Sequence, residues 1–295
     1  MRKIKKSFFT LLEVLISMGV FSLLMLALMQ FFSAAQGVWE RTGDKAELFE
    51  TAKTAMDILA SDLACAYYEP DHDANYQFFN ISSSDTSQIV FAAQKEDGNA
   101  QLFYKWTNTN WKLHRVEKKE STVFTSGTVT PSGNWFTRSG KTGWITDMSG
   151  TALTNSSGDT PYCLAENVLD FSVTAYKNNA LTTPLTISTS TTNKFPDVVM
   201  ASMTLLSEDA YEKLLNRFAS EADKNAAIRT LFNTTTFQYI KSDGTDSGES
   251  DKKTVRELLI NGTPPSGGED TNQAILFNGC QRFTRVIPLD RGQND

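Results

Sequence analysis

The sequence has few of the residues on which metal binding and catalysis most often depend. It contains 3 cysteines and 2 histidines in 295 residues. Cys65, Cys163 and Cys280 are far apart and form no CxxC pair, so they allow one intramolecular disulfide at most, and the pairing stays open. Only His72 and His114 are available to complete a metal site on these thiols. We therefore expect mostly buried cysteines, no metal and no cofactor.

Motifs for nucleotide binding and for hydrolysis are also missing. No GxSxG, P-loop or dinucleotide fingerprint occurs. The run EPDHD (69–73) consists of consecutive residues, whose side chains cannot all converge on one ion. The run SDGTDSGESD (242–251) lacks the spacing of an EF-hand calcium loop. His114 alternates with apolar neighbours, which indicates a structural role in a strand. The sequence therefore predicts a protein that is not an enzyme.

A basic surface for nucleic acid is missing as well. The formal net charge is -6, and four of the cations, Arg2, Lys3, Lys5 and Lys6, precede residue 8. Phosphate backbones require a basic patch or stripe on the protein. We therefore exclude nucleic acid as a partner.

The sequence does contain one long apolar run, from Phe8 to Phe32, directly after those cations. About 20 apolar residues suffice to span the hydrocarbon core, and the positive-inside rule places the basic end in the cytoplasm. A secretory signal peptide cleaved near Ser33-Ala34-Ala35 fits this pattern, and so does a plain membrane anchor. Neither explains Glu13, because a carboxylate inside the membrane costs about 2.5–3.5 kcal/mol on insertion scales.

The run FTLLEVLI (9–16) resembles the N-terminal signature of the type IV pilin superfamily, which includes the type II secretion pseudopilins. The resemblance implies that a prepilin peptidase removes a basic leader, residues 1–8, and that Phe9 becomes the N-methylated N-terminus. It makes Glu13 the fifth residue of the mature chain, where it would pair with the terminal amine of a neighbouring subunit and set the axial register. The residue before the cut is normally Gly in this family, whereas this chain has Phe8.

The same resemblance implies a structural subunit and its partners. These are other pilins or pseudopilins, an assembly platform in the inner membrane, and the lipid bilayer. The protein would cross the inner membrane once, with its N-terminus in the cytoplasm and its head in the periplasm. The alternative is a secreted or membrane-anchored binding module or enzyme with an ordinary signal or anchor segment.

A helical pattern continues beyond the apolar run. Apolar residues recur at three- and four-residue spacing and predict one buried stripe. Charged residues, among them Asp57 and Asp62, occupy the other faces, and Pro70 predicts the end of the helix. We expect one helix over 9–67, with 9–32 in the membrane. The stripe consists of Leu48, Ala52, Ala55, Met56, Leu59, Leu63 and Ala66.

After Pro70 the apolar period changes to two, which predicts strands. The predicted class is α+β: the long N-terminal helix packs on an antiparallel sheet in a head that covers 68–295. Within VLDFSVTAY, the side chains of Leu169, Phe171, Val173 and Ala175 are expected to face the core. Phe283 and Ile287 should join the core from the last strand. The strands are expected in 87–93, 100–106, 110–116, 168–176, 196–206 and 281–289, with the second and third forming a hairpin.

Helical signals return between 207 and 271. Tyr211, Leu214 and Phe218 have helical spacing, and Ser220 with Asp223 has the pattern of a capping box. We interpret 207–271 as a partly helical insertion in the head.

Three segments, taken in order, resemble the minor pseudopilin J family of type II secretion. They are AKTAMDILASDLACA (52–66), ENVLDFSVTAY (166–176) and FPDVVMASMTL (195–205). That family is placed in a complex at the filament tip. A head enlarged by an insertion fits poorly between neighbours whose packed helices lie about 10 Å apart. Both arguments lead us to expect a position near the tip.

Overall fold

Helix α1 (Leu11–Ala64) is the longest element of the computed structural model. The chain divides into two units, Met1–Glu47 and Leu48–Asp295, and α1 contributes to both. The predicted leader, Phe8, Phe9, Pro70 and the EPDHD run lie outside the residues that the structure describes. Those residues are 11–67, 79–81, 88–96, 98–107, 111–119, 162–177, 181–185, 195–218, 221–248, 250–268 and 271–289.

In the first unit, α1 is apolar and exposed. Its most apolar 18-residue window has a mean hydropathy of 2.4, and none of that window is buried. Gly37 and Gly43 lie within the helix and do not interrupt it. By length and composition, this helix is able to cross a membrane.

In the second unit, α1 buries the stripe that the sequence predicts. The side chains of Ala52, Ala55, Met56, Leu59 and Leu63 are at most 4% exposed, and they share one core with residues of two sheets. Leu48 and Ala66 pack against this core and are partly buried. The predicted stripe is therefore confirmed.

The C-terminal end of α1 differs from its prediction in two ways. The helix stops at Ala64 instead of residue 67, because the next backbone groups bond to the sheet: Tyr67 N–H donates to the Ala92 carbonyl at 2.8 Å. Gln94 N–H donates to the Cys65 carbonyl at 2.9 Å. The prediction for Asp62 was also wrong, because this residue is 7% exposed and does not lie on a solvated face.

Two antiparallel sheets form the rest of the main core, so the architecture agrees with the predicted α+β class. The first sheet has the strand order β1-β2-β3-β4-β5, and the second has the order β10-β7-β6. The first contains β1 (Phe79–Ile81), β2 (Gln88–Lys95), β3 (Gly98–Thr107), β4 (Lys112–Lys119) and β5 (Tyr162–Ala165). The second contains β6 (Val168–Tyr176), β7 (Val198–Leu206) and β10 (Cys280–Pro288).

The three strands predicted for this part of the chain are present as β2, β3 and β4. Their buried and exposed side chains do not all alternate as expected. Strands β3 and β4 pair as the expected antiparallel hairpin. Strand β2, however, is buried at each position from Gln88 to Ala93. Val90 and Phe91 point to opposite faces of the pleat, and both are at most 1% exposed. Both faces of this strand are therefore covered.

Strand β6 shows the predicted alternation with one exception. Phe171, Val173 and Ala175 face the main core. The register with β7 shifts between Val168 and Asp170, and Leu169 belongs to a second hydrophobic cluster. A bulge inserts a residue and redirects side chains locally, which accounts for the difference. On β10, Ile287 is buried and Phe283 packs against the main core, as predicted.

The second cluster is built mainly by the helical segment that follows β7. The predicted return of helix is confirmed, but the helices continue to Gly279. They are α2 (Glu208–Leu215), α3 (Glu221–Asn233), α4 (Val255–Asn261) and α5 (Asn272–Gly279), with a short pair of strands, β8 (Thr236–Phe237) and β9 (Lys253–Thr254). The capping box that the structure describes joins Thr254 and Glu257, whereas Ser220 lies outside the described residues.

Leu59 tests whether the second unit folds around α1. In a chain that lacks residues 1–35, Leu59→Ala should lower the free energy of unfolding by about 2–5 kcal/mol, because it leaves a cavity in the main core. The parent fragment should be soluble and unfold cooperatively, since it retains the whole buried stripe. Urea denaturation followed by circular dichroism measures both quantities.

Lys53→Ala is the matched control, because Lys53 is an exposed residue of the same helix. Its effect should stay within about 0.5 kcal/mol. Equal effects of the two substitutions, or an insoluble parent fragment, would show that this part of α1 is not a core helix.

Candidate functional site

The apolar half of α1 carries a carboxylate near its N-terminal end. Glu13 lies in the first turn of the described helix and is exposed, as are the apolar residues around it. Residues 11–32 form a helical segment about 33 Å long, close to the thickness of a hydrocarbon core. Glu13 therefore lies about 3 Å along the axis from the start of this segment.

Hydroxyl groups within the segment bond to the helix itself. Ser17 Oγ donates to the carbonyl of Glu13 at 2.7 Å, and Ser22 Oγ donates to the carbonyl of Met18 at 2.8 Å. A hydroxyl without a partner would be costly in hydrocarbon, and these bonds remove that cost within one chain. The segment is thus compatible with a lipid environment at both serines.

A second carboxylate, Asp62, is buried at the other end of α1. Its Oδ2 accepts hydrogen bonds from Tyr104 Oη at 2.5 Å and from Arg115 Nε at 2.6 Å. Its Oδ1 lies 3.2 Å from Lys95 Nζ. Glu117 completes the cluster, because its Oε2 lies 2.8 Å from Arg115 Nη2 and 2.9 Å from Lys95 Nζ. Strands β2, β3 and β4 each contribute to this cluster.

The cluster stabilises the ionised form of both carboxyl groups. Burial opposes ionisation of Asp62, but the hydrogen bonds from Arg115 and Tyr104 outweigh it and hold the pKa of this carboxyl below its ordinary value. Glu117 behaves in the same way, since the bonds from Lys95 and Arg115 outweigh its burial and lower its pKa. Burial, followed by the nearby Asp62 charge, raises the pKa of Tyr104. At neutral pH the cluster therefore holds two anions, two cations and a neutral phenol.

All three cysteines are free thiols in the structure. Cys65 is exposed, Cys163 is half-buried and Cys280 is buried, so the prediction of mostly buried cysteines was wrong for two of the three. Burial raises the pKa of the Cys280 thiol, and burial together with the charge of Glu166 raises that of Cys163. A raised pKa reduces the fraction of reactive thiolate, so neither environment activates a nucleophile.

Cys163 does have a histidine opposite it, on β4. His114 and Cys163 are paired in the β4–β5 register, and Glu166 Oε1 lies 3.9 Å from Cys163 Sγ. Glu166 also forms an ion pair with Lys112. Burial and the nearby Lys112 charge lower the pKa of His114, which keeps the imidazole neutral. With an inactive thiol, this group has the residue types of a catalytic triad but not its electrostatics.

Three carboxylates of the acidic loop at 242–251 accept hydrogen bonds from other residues of the chain. Asp243 accepts hydrogen bonds from the backbone and hydroxyl of Thr245, and Asp246 accepts one from Ser266. Asp251 accepts a hydrogen bond from Tyr239 at 2.6 Å. Within the described part of the chain, no group of three or more His, Cys, Asp or Glu residues is placed to hold a metal ion.

The Asp62 cluster was not predicted from the sequence, although the sequence contains one indication of it. Asp62 follows Leu59 by three residues and so continues the apolar stripe. A charged residue at a stripe position indicates a buried charge that needs partners. The partners themselves were not predictable, because Lys95, Arg115 and Glu117 look like ordinary exposed residues of alternating strands.

Comparison with known proteins does not assign the chain to a family. The sequence matches no protein-family model, and no curated protein matches it significantly.

Asp62→Asn tests the buried cluster through its pH dependence. Asp62 and Glu117 have lowered pKa values in the folded chain, so their stabilisation is present above their ordinary values, 3.8 and 4.5, and is lost as the pH falls through the lower folded values. The variant should lose about 3 kcal/mol of unfolding free energy near pH 7, because it leaves Arg115 and Lys95 less well paired. This difference from the wild type should shrink below pH 3.8. Urea titrations over a pH series measure it.

Asp57→Asn is the control on the same helix. Asp57 forms an ion pair with Arg285, but both side chains are substantially exposed, at 49% and 40%. Exposed pairs contribute about 0–1 kcal/mol. A loss for Asp62→Asn no larger than that for Asp57→Asn would contradict the structural role of the cluster.

Proposed function

We propose that this protein is a minor pseudopilin or pilin-like structural subunit, which assembles through its N-terminal helix into a type II secretion pseudopilus or a related filament. The observation that carries the proposal is Glu13, a carboxylate in the first turn of an exposed, membrane-length apolar helix, within the sequence FTLLEVLI. A plain membrane anchor needs no carboxylate at this position. In a helix that assembles with other subunits, a carboxylate can pair with a charge on a neighbouring subunit.

The use that we propose is axial register between subunits. After removal of residues 1–8, the new amine at Phe9 would be cationic near neutral pH. In a staggered array, the Glu13 carboxylate of one subunit meets the amine of its neighbour at one axial offset. A buried pair contributes little compared with apolar packing, but a misplaced charge in hydrocarbon is costly. The pair therefore acts mainly by making other offsets unfavourable.

The remainder of α1 supports the same plan. The exposed apolar half is suited to the membrane and afterwards to contacts between subunits. The half that begins at Leu48 is already buried against sheet residues within its own chain. A helix that both holds a head and assembles with other subunits needs one half buried in its own chain and one half exposed. From this arrangement of α1 we infer a pilin-like packing of the helix on the sheets.

The proposal includes a location and a place in the filament. The protein would enter the inner membrane with its N-terminus in the cytoplasm and its head in the periplasm, be processed by a prepilin peptidase and be extracted by the assembly platform. The helices between β7 and β10 build most of the second hydrophobic cluster and enlarge the head. An enlarged head is accommodated most easily where one side has no neighbour, which favours the filament tip.

Glu13→Ala tests the proposal in cells that assemble the filament. Tagged variant and wild type are co-expressed, and the amount of each in sheared filaments is measured by quantitative immunoblotting. We expect incorporation of the variant to fall about tenfold or more, since the loss of a register interaction worth ~1.4 kcal/mol already gives a factor of ten. Membrane insertion and the fold of the head should not change.

Glu47→Ala is the matched control, because Glu47 is an exposed carboxylate of α1 outside the apolar run. Its incorporation should equal that of the wild type. Immunogold label on the same sheared filaments should lie at their ends. Normal incorporation of Glu13→Ala would overturn the register role, and label spaced along the shaft would overturn the position at the tip.

A further inference from the structure

Trp39 is unusually exposed for a tryptophan. Its exposed fraction is 83%, and that of the adjacent Val38 is 65%. The other tryptophans that the structure describes are sheltered: Trp111 is 2% exposed, and Trp106 is partly buried and donates a hydrogen bond to the Val168 carbonyl at 2.6 Å. Among the tryptophans that the structure describes, Trp39 is therefore the one whose ring the chain itself does not cover.

The position of Trp39 along α1 corresponds to a membrane surface. Trp39 follows Phe32, the last residue of the apolar run, by seven residues, or about 10 Å along the axis. Helical side chains point back towards the N-terminus, which brings the indole closer to the apolar run by about one turn. Its ring then lies some 5–8 Å beyond the hydrocarbon, within the headgroup region of a bilayer about 40–45 Å thick in total.

The neighbours of Trp39 distinguish lipid from a partner helix. A helix–helix contact needs apolar residues three and four positions away on the same face. Trp39 has Ala35 and Gln36 on one side and Thr42 and Gly43 on the other, so no large apolar side chain continues the face towards the C-terminus. Towards the N-terminus, Phe32 lies two turns away on the same face and is 61% exposed. The apolar face of α1 that contains Trp39 therefore extends back into the apolar run, and Trp39 is its last large apolar residue.

We propose that Trp39, together with Val38, lies in the headgroup region at the periplasmic surface of the bilayer and fixes the depth of α1. The inference rests on the membrane orientation in the proposed function. Tryptophan is favoured at this level because its ring is apolar while its N–H bonds to water and headgroups. Until the leader is removed, Arg2, Lys3, Lys5 and Lys6 lie at the opposite surface, and afterwards Trp39 holds the depth of the helix at the periplasmic side. Glu13 lies about 39 Å from Trp39 along the axis, so the anchor holds it near the cytoplasmic surface.

Depth-dependent fluorescence quenching tests the position of Trp39. The full-length protein is reconstituted into phosphatidylcholine–phosphatidylglycerol vesicles whose acyl chains are brominated either near the headgroup or near the bilayer centre. We expect shallow bromines to remove about one fifth of the total emission, since Trp39 is one of 5 tryptophans, and deep bromines to remove much less. This shallow quenching should disappear in Trp39→Phe and remain in Trp106→Phe.

Flotation of the same vesicles separates failure of this inference from failure of the proposed function. Protein that floats with the vesicles while shallow and deep bromines quench Trp39 equally, or while neither quenches it, would overturn the anchor and leave the membrane helix intact. Protein that does not float would overturn the anchor together with the membrane orientation on which it rests.

Discussion

The second unit depends on burying one face of α1 against residues of two sheets. Small side chains at Ala52 and Ala55 allow close approach, while Leu59 and Leu63 fill the space between the elements. Asp62 lies beside this apolar face and must bring its counter-charges with it. They come from β2 and β4, and β3 supplies the tyrosine hydroxyl, so the ion cluster links the end of the helix to three neighbouring strands. Apolar burial supplies most of the stability, and the cluster restricts which rotation and offset of the helix are tolerated.

If the N-terminal half of α1 lies in a membrane, two carboxylates of one helix pose the same physical problem, a charge in apolar surroundings. Asp62 solves it within the chain, through Arg115, Lys95 and Tyr104. Under the proposed function, Glu13 solves it between chains, through the amine of a neighbouring subunit. In both places the attraction adds little net stability, because desolvation offsets it. What the charge contributes is selectivity: one arrangement satisfies it, and shifted arrangements do not. Under the proposed function, the same helix is positioned at one end by its own fold and at the other by assembly.

Elements could be predicted from the sequence where their apolar residues recur with a single period. The stripe from Leu48 to Ala66, the β3–β4 hairpin and the alternating face of β6 all followed from apolar spacing. Prediction failed where contacts with other elements decided which side chains are buried. Strand β2 is covered on both faces, Leu169 is redirected by a bulge, and α5 carries no apolar stripe that would set it apart from the adjoining strand. Among the candidate site residues, Glu13 was recognisable because it interrupts an apolar run. Asp62 was not, since its partners are distant in sequence and become visible only once the strands are aligned.

Under the proposed function, residues 1–8 are a leader and the mature chain begins with a modified Phe9. Mass spectrometry of the N-terminal peptide, on protein purified from cells that contain a prepilin peptidase, tests this directly. We expect a peptide that starts at Phe9 and carries one methyl group on its amine, with Glu13 as its fifth residue. A chain that starts near Ala35 or Gln36 would identify an ordinary signal peptide, and an unprocessed Met1 would identify a plain anchor. Either result would contradict the assembly role proposed for Glu13.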